Sequence, residues 1–135
     1  MKPFRLKSPI HYEREEQRYL LRWANMRSAT LPGLDMLFHV PNGGARDIRV
    51  AAQLKSEGVK KGVPDLFLMA PRGGYHGLAI ELKRRGGGRG SPEQKDWIER
   101  LNAQGYRATV CFGWNDARQT IEAYLGQGKQ CGSVF

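Results

Sequence analysis

Hydrophobic and polar positions alternate most regularly between residues 64 and 83. Pro64-Asp65 opens a short apolar run, Leu66-Phe67-Leu68-Met69, which stops at Pro71-Arg72-Gly73-Gly74. In the run that follows, Leu78, Ile80 and Leu82 alternate with Ala79, Glu81 and Lys83, which is strand periodicity. Successive strand side chains point to opposite faces, so Glu81 and Lys83 share one face and the three aliphatic residues the other. If the two runs pair as a hairpin, Asp65 at the start of one strand comes close to Glu81 near the end of the other.

Around this hairpin the spacing is mostly helical. Glu13, Glu16, Gln17, Leu20, Trp23 and Ala24 recur at three- and four-residue intervals, predicting a helix from Pro9 to Met26 with Arg14, Arg18 and Arg22 on its outer face. Leu31-Pro32-Gly33 breaks the chain. Met36 to Val40 then reads as a strand that Pro41-Asn42-Gly43-Gly44 stops, with His39 a packed or surface strand residue. Residues 45 to 57 predict a helix with Ile48, Ala51, Ala52 and Leu54 inward and Gly58 closing it. Ser91-Pro92-Glu93-Gln94 is a helix start with a capping box, and that helix runs to Gln104 with Trp97, Ile98 and Leu101 inward. Gln94 lies on the same inward stripe and can serve the cap, the site, or both. Tyr106 to Phe112 predicts a strand with Ala108, Val110 and Phe112 on one face, and Asn115 is the expected cap of a last helix from Asp116 to Leu125.

This order of elements predicts an α/β fold, a mixed β-sheet flanked by α-helices. The Asp65 and Glu81 strands pair antiparallel, and the strand after the Pro92 helix returns parallel to the Glu81 strand through a crossover. A length of 135 residues with 40% hydrophobic content suits one core. The expected division is a basic N-terminal arm over residues 1–8, one domain over 9–125 and a loose tail over 126–135.

Charge narrows the partner. The net charge is +9, from 22 Lys and Arg against 13 Asp and Glu spread along the chain, which suits a polyanion such as nucleic acid. Two cysteines make neither a disulfide framework nor a zinc site. No run is apolar enough to span a bilayer or to form the core of a signal peptide. No membrane association is expected, and the chain reads as intracellular, in the cytoplasm of a bacterial or phage-infected cell or on its nucleoid.

Two carboxylates brought together repel, and a divalent cation relieves that repulsion while activating water and a phosphate ester. Oxygen donors without a Cys or His cluster favour Mg²⁺ or Mn²⁺; no organic cofactor is expected. Lys83 is placed to hold or help deprotonate the attacking water and to offset charge in the transition state. The plainer alternative for Glu81 and Lys83 is an exposed ion pair. For Glu13 and Glu16 it is a solvated first turn favoured by the helix dipole.

Pro64-Asp65 with Glu81-Leu82-Lys83 resembles the PD-(D/E)XK nuclease motif, and the wider pattern resembles the VRR-NUC (virus-type replication-repair nuclease) branch of that superfamily. The likeness spans residues 13 to 125. It takes in Glu13 to Gln17, Pro41-Asn42-Gly43-Gly44, Leu54 to Gly58, Gly62-Val63-Pro64-Asp65-Leu66, Gly77 to Lys83, Ser91 to Gln94 and Gly105-Tyr106. The resemblance implies a restriction-endonuclease-like core in which Asp65, Glu81 and the backbone carbonyl of Leu82 bind metal and Lys83 is catalytic. Gln94 matches a glutamine that the family places after this strand. An acidic residue of the first helix completes the site, Glu13 by its spacing to Gln17, or Glu16 on the same face.

The resemblance further implies cleavage of branched DNA in replication and repair by a homodimer similar to Holliday-junction resolvases. Lys60, Lys61, Arg84, Arg85 and Arg89, with Asn42, are the candidates for DNA contact. The competing expectations are a less selective endonuclease or nickase on duplex or flap DNA, and a noncatalytic DNA-binding module on the same scaffold.

Overall fold

The alternation of Leu78, Ile80 and Leu82 with Ala79, Glu81 and Lys83 becomes one of the two interior strands of a four-stranded sheet in the computed structural model, which describes residues 9–41 and 47–128. Helix α1 spans Pro9–Arg27 and is followed by a 3₁₀ turn at Leu34–Met36, strand β1 at Leu37–His39 and helix α2 at Ile48–Ser56. Strand β2 is Leu66–Leu68, β3 is Leu78–Lys83, helix α3 is Pro92–Ala103, β4 is Arg107–Phe112 and α4 is Trp114–Leu125. The sheet order is β1-β2-β3-β4. β1 and β3 both run antiparallel to β2, whereas β4 lies parallel to β3 after the α3 crossover. The chain therefore has the expected mixed α/β architecture. Among the described residues no helix is long and apolar enough to cross a membrane.

The aliphatic face of β3 is the core face. Leu78, Ile80 and Leu82 pack with Leu66 and Leu68 of β2 and Cys111 of β4 under Leu20 and Ala24 of α1 and Ile121, Tyr124 and Leu125 of α4. The Tyr124 hydroxyl donates to the Ala70 carbonyl at 2.6 Å, satisfying the one polar atom that this ring buries. With α1 and α4 holding that face, the alternate residues of β3 turn to the other side, where α3 packs beside β4.

Two helix details depart from expectation. The stripe of Ile48, Ala51, Ala52 and Leu54 on α2 is present, but no residue of that helix is buried; Ile48 is 86% exposed and only Leu54 is half-buried. Periodicity reports that a helix is amphipathic, and nothing in it requires a surface opposite the apolar side. At α4 the expected cap Asn115 instead accepts from the Arg118 guanidinium at 2.8 Å. The helix begins two residues earlier than expected, at Trp114, with Gly113 in the cap position and no side-chain cap bond from that glycine. The Trp114 N–H donates to the Glu16 carboxylate of α1, a cap supplied from across the fold.

The loop before β2 is fixed by close packing. Gly62 has φ +88°, and a Cβ there would sit 2.6 Å from the Glu93 carbonyl carbon at the start of α3. The Trp97 indole N–H donates to the Lys61 carbonyl at 3.1 Å, tying the same loop to the helix. Gly62→Ala is expected to cost about 2 kcal/mol or more, from the left-handed backbone and the backbone overlap together, read as a lower urea midpoint at unchanged m-value. An unchanged midpoint would show that the loop shifts freely.

Candidate active site

The β2–β3 register pairs Leu66 with Ile80 and Phe67 with Ala79, so continuing it by one residue sets Asp65 opposite Glu81. The ladder ends there and a side chain takes it over. Asp65 Oδ2 accepts from the Leu82 N–H at 2.9 Å, which locks the carboxylate against the strand. A strand residue's N–H and C=O point to the same side, so the Leu82 carbonyl faces the Asp65 side, while the Lys83 carbonyl faces β4 and accepts from Gly113 N–H at 2.7 Å.

Gln94 links the charged groups on this face. Its Oε1 accepts from the Ser91 N–H at 2.9 Å and from the Lys83 ammonium at 3.1 Å, and its Nε2 donates to Glu81 Oε1 at 2.8 Å. The orientation of the amide follows from these partners, since reversing it would set N–H groups against two donors. Gln94 thus serves the α3 capping box and the site at once. Lys83 Nζ also lies 3.5 Å from Glu81 Oε1, with side-chain exposures of 14% and 4%. The expectation of a solvent-exposed ion pair therefore does not describe these two residues.

Burial acts on all three nearby carboxyls. It pushes Glu81 up to about 8, with the Asp65 charge adding to the rise and Lys83 opposing it. Burial raises Asp65 as well, against the lowering effect of the Leu82 N–H. Glu13 is raised by burial, with Lys83 lowering it and Asp65 raising it, so the first-helix carboxyl feels both members of the site. Glu81 Oε2 is buried and meets no hydrogen-bond donor. Its neighbour is another carboxyl, and only a proton or a cation relieves such a pair.

Glu16, on the same helical face as Glu13, is committed elsewhere: besides the Trp114 N–H it holds Arg85 Nε at 3.5 Å. Arg84 lies within electrostatic reach of Glu13. Lys61 pairs with Glu93 at 3.5 Å. Arg89 lines a cleft that ends at Glu81. Lys60 lines a larger cavity of about 500 Å³ between α2 and the Val59–Lys61 segment, with no carboxylate among its described lining residues; size alone does not mark the site. Asn42 lies outside the described residues, as do residues 1–8 and 129–135, the arm and most of the tail.

Among the described residues no three His, Cys, Asp or Glu side chains form a ready metal cage. Asp65 and Glu81 nonetheless suit a hard divalent ion, because Mg²⁺ is commonly held by one or two carboxylates, with water and substrate phosphate completing its sphere. The buried, donorless Glu81 Oε2 is the atom that such an ion would satisfy. Sequence reasoning did not find the Glu16–Arg85–Gly113 cluster or the Trp97 tie to the loop. A glycine directly after a strand, followed by a helix whose own residues supply no cap, is the signal for the first; a tryptophan on a half-exposed helix stripe is the signal for the second.

Comparison with known proteins adds three findings. A family model described as VRR-NUC domain matches residues 1–114. A solved structure titled "VRR_NUC domain protein" is similar with 35% sequence identity and a TM-score of 0.78, covering 92% of this chain and 94% of that one. No curated protein matches.

Proposed function

We propose, for a chain that belongs to the VRR-NUC domain family and so carries a nuclease domain of the PD-(D/E)XK type, that it is a metal-dependent, structure-selective DNA endonuclease. One observation carries the reading: a buried carboxyl pair, Asp65 and Glu81, in which Glu81 Oε2 has no donor and a lysine held by Gln94 stands beside it. A noncatalytic DNA-binding surface needs cations and has no use for two buried acids.

Asp65 and Glu81, with the Leu82 carbonyl, are the groups that would hold Mg²⁺ or Mn²⁺, which when bound polarises the phosphate and lowers the pKa of water. The remaining work falls to the chain. Lys83 orients the attacking water and offsets negative charge at the phosphorus in the transition state. Gln94 fixes that ammonium through its carbonyl oxygen and holds Glu81 through its amide nitrogen, so both groups keep one geometry. Lys60, Lys61, Arg84, Arg85 and Arg89 contact phosphates, with Lys61 and Arg85 partly engaged by Glu93 and Glu16. A homodimer acting on branched DNA fits the chemistry, because a four-way junction requires two symmetric cuts and each chain has one site.

Within the first helix we assign the site role to Glu13 and a structural role to Glu16. Glu13→Ala is expected to lower cleavage by about 10-fold or more with little change in melting temperature. Glu16→Ala is expected to keep cleavage while losing about 1 kcal/mol of stability through the α4 cap. The reverse pattern would exchange the two assignments.

The experiment that tests the function is a cleavage panel of four-way junction, flap, duplex and single-stranded DNA with Mg²⁺ and with Mn²⁺. Metal-dependent cutting that favours the branched substrates is expected. Equal cutting of junction and duplex would leave an unselective nuclease, and no cutting of any substrate would overturn the assignment.

A further inference from the structure

We propose that the cleft running from Glu81 towards β4 receives an unpaired nucleobase beside the phosphate that the Asp65–Glu81 site attacks. This rests on the nuclease reading and adds the feature of the substrate that the chain selects. The cleft has a volume of about 340 Å³, in the range of sites that take small organic groups. Across the β3–β4 pair Val110 is the direct neighbour of Glu81, and Phe112 of Lys83. The sheet face that carries the acid and the lysine therefore continues without a break into an apolar floor. Ile98 of α3 forms the facing wall, and Arg89 of the glycine-rich loop and Lys95 of α3 stand at the rim.

Phe112 gives this floor its chemistry. It occupies the last position of the edge strand β4, and the residue is 45% exposed although it lines the cleft beside Val110 and Ile98. An aromatic ring and aliphatic walls offer a stacking surface to any base, and the arginine and lysine can pair with the phosphates on either side of it. A base in a duplex reaches such a cleft only after unpairing and unstacking, at a cost of roughly a few kcal/mol. Nucleotides already unpaired at a branch or flap avoid that cost, so the cleft converts loss of pairing into a preference for where the strand is cut.

The test uses single-stranded and flap DNA in which 2-aminopurine replaces one base at a time, bound to Lys83→Ala protein, with a dye at the strand end reporting occupancy. At saturation the 2-aminopurine emission is expected to change at one or two adjacent positions only. Removing the base at that position is expected to slow wild-type cleavage by about 10-fold, the scale of one lost stacking contact. In the Lys83→Ala background Phe112→Ala is expected to weaken the emission change. Gly88→Trp is expected to abolish it by filling the cleft from the loop, at a glycine whose added Cβ meets nothing within 4 Å.

Saturated DNA with uniform emission at every position overturns the base pocket, as does a response that survives both substitutions. Position-specific emission in a protein whose wild type cuts nothing retains the pocket and overturns the nuclease reading. Cutting without any position-specific response does the opposite. Failure to bind these strands overturns the base pocket and leaves the nuclease reading to the cleavage panel.

Discussion

Lys83→Ala is expected to lower the single-turnover rate of DNA cleavage by about 10²–10³-fold, the size seen when one preorganised charge-stabilising group is removed, while DNA binding persists. The expectation follows from placement more than from charge. Lys83 is held at 3.1 Å by Gln94 Oε1 and lies 3.5 Å from Glu81, largely out of solvent, so its ammonium is fixed beside the carboxyl pair. Binding draws on many dispersed cations in a chain of net charge +9, and loss of one changes a salt-dependent affinity only slightly. Gln94→Ala supplies the graded comparison. It leaves Lys83 and Glu81 in the chain but removes the acceptor of one and a donor to the other, and a loss of about 10–100-fold is expected of a group that acts by positioning. A Lys83→Ala rate within threefold of wild type would remove Lys83 from the chemistry.

The hairpin and its charges were legible because strand periodicity assigns faces without knowledge of the fold. Leu78, Ile80 and Leu82 had to share a side, and the core under α1 and α4 is on that side. Gln94 was legible for a different reason: a capping box fixes its backbone position, and the inward stripe of α3 fixes its direction. Where pattern fell short, the missing information was tertiary. The sequence of α2 describes an apolar stripe and says nothing of what lies opposite, so Ile48 was expected inside and stands exposed. Glu13 and Glu16 occupy one helical face and could not be separated by spacing. Only the position of α4 distinguishes them, because its first N–H groups need an acceptor and Glu16 is the carboxylate that reaches Trp114. Asn115 lost the cap for the same reason: a carboxylate across the fold had already taken the N–H that begins the helix.

Glu16 also links the site to the fold's stability. Arg85 follows Lys83 by two residues and pairs with Glu16 at 3.5 Å, and Gly113, whose N–H reaches the Lys83 carbonyl, has no room for a Cβ against the Arg85 side chain. The end of β3, the start of α4 and the middle of α1 therefore converge on one carboxylate. Past its last residue β3 is tied to α1 and α4 by this cluster, while Gln94 of α3 bonds the Lys83 ammonium itself.

The second large effect concerns metal and pH. Without metal, the folded chain keeps a proton on Glu81 up to about pH 8, raised chiefly by burial and then by Asp65, whereas the unfolded chain releases it near the ordinary glutamate value of about 4.3. Between those values the native state binds more protons than the unfolded state, so stability falls as pH rises, and the loss is complete above the folded value. The expected decrease from pH 5 to pH 8 is on the order of 2–4 kcal/mol, or roughly 10 °C in melting temperature. Other carboxyls titrate at the lower end of this window, so the quantity to compare is the difference between wild type and Glu81→Gln, a neutral replacement of the same shape. That difference is expected to grow in favour of the variant as pH rises. Mg²⁺ or Mn²⁺ should reverse it. An ion held by Asp65 and Glu81 would take the place of the proton, so it is expected to stabilise wild type most at pH 8, by about 2.7 kcal/mol at a hundredfold excess over its dissociation constant, and least at pH 5, where protons compete for the same oxygens. Glu81→Gln should show little gain at either pH. A gain of equal size in the variant would place the metal elsewhere, and a wild-type melting temperature that holds level with the variant's from pH 5 to 8 would show that Glu81 is not the group that carries the buried proton.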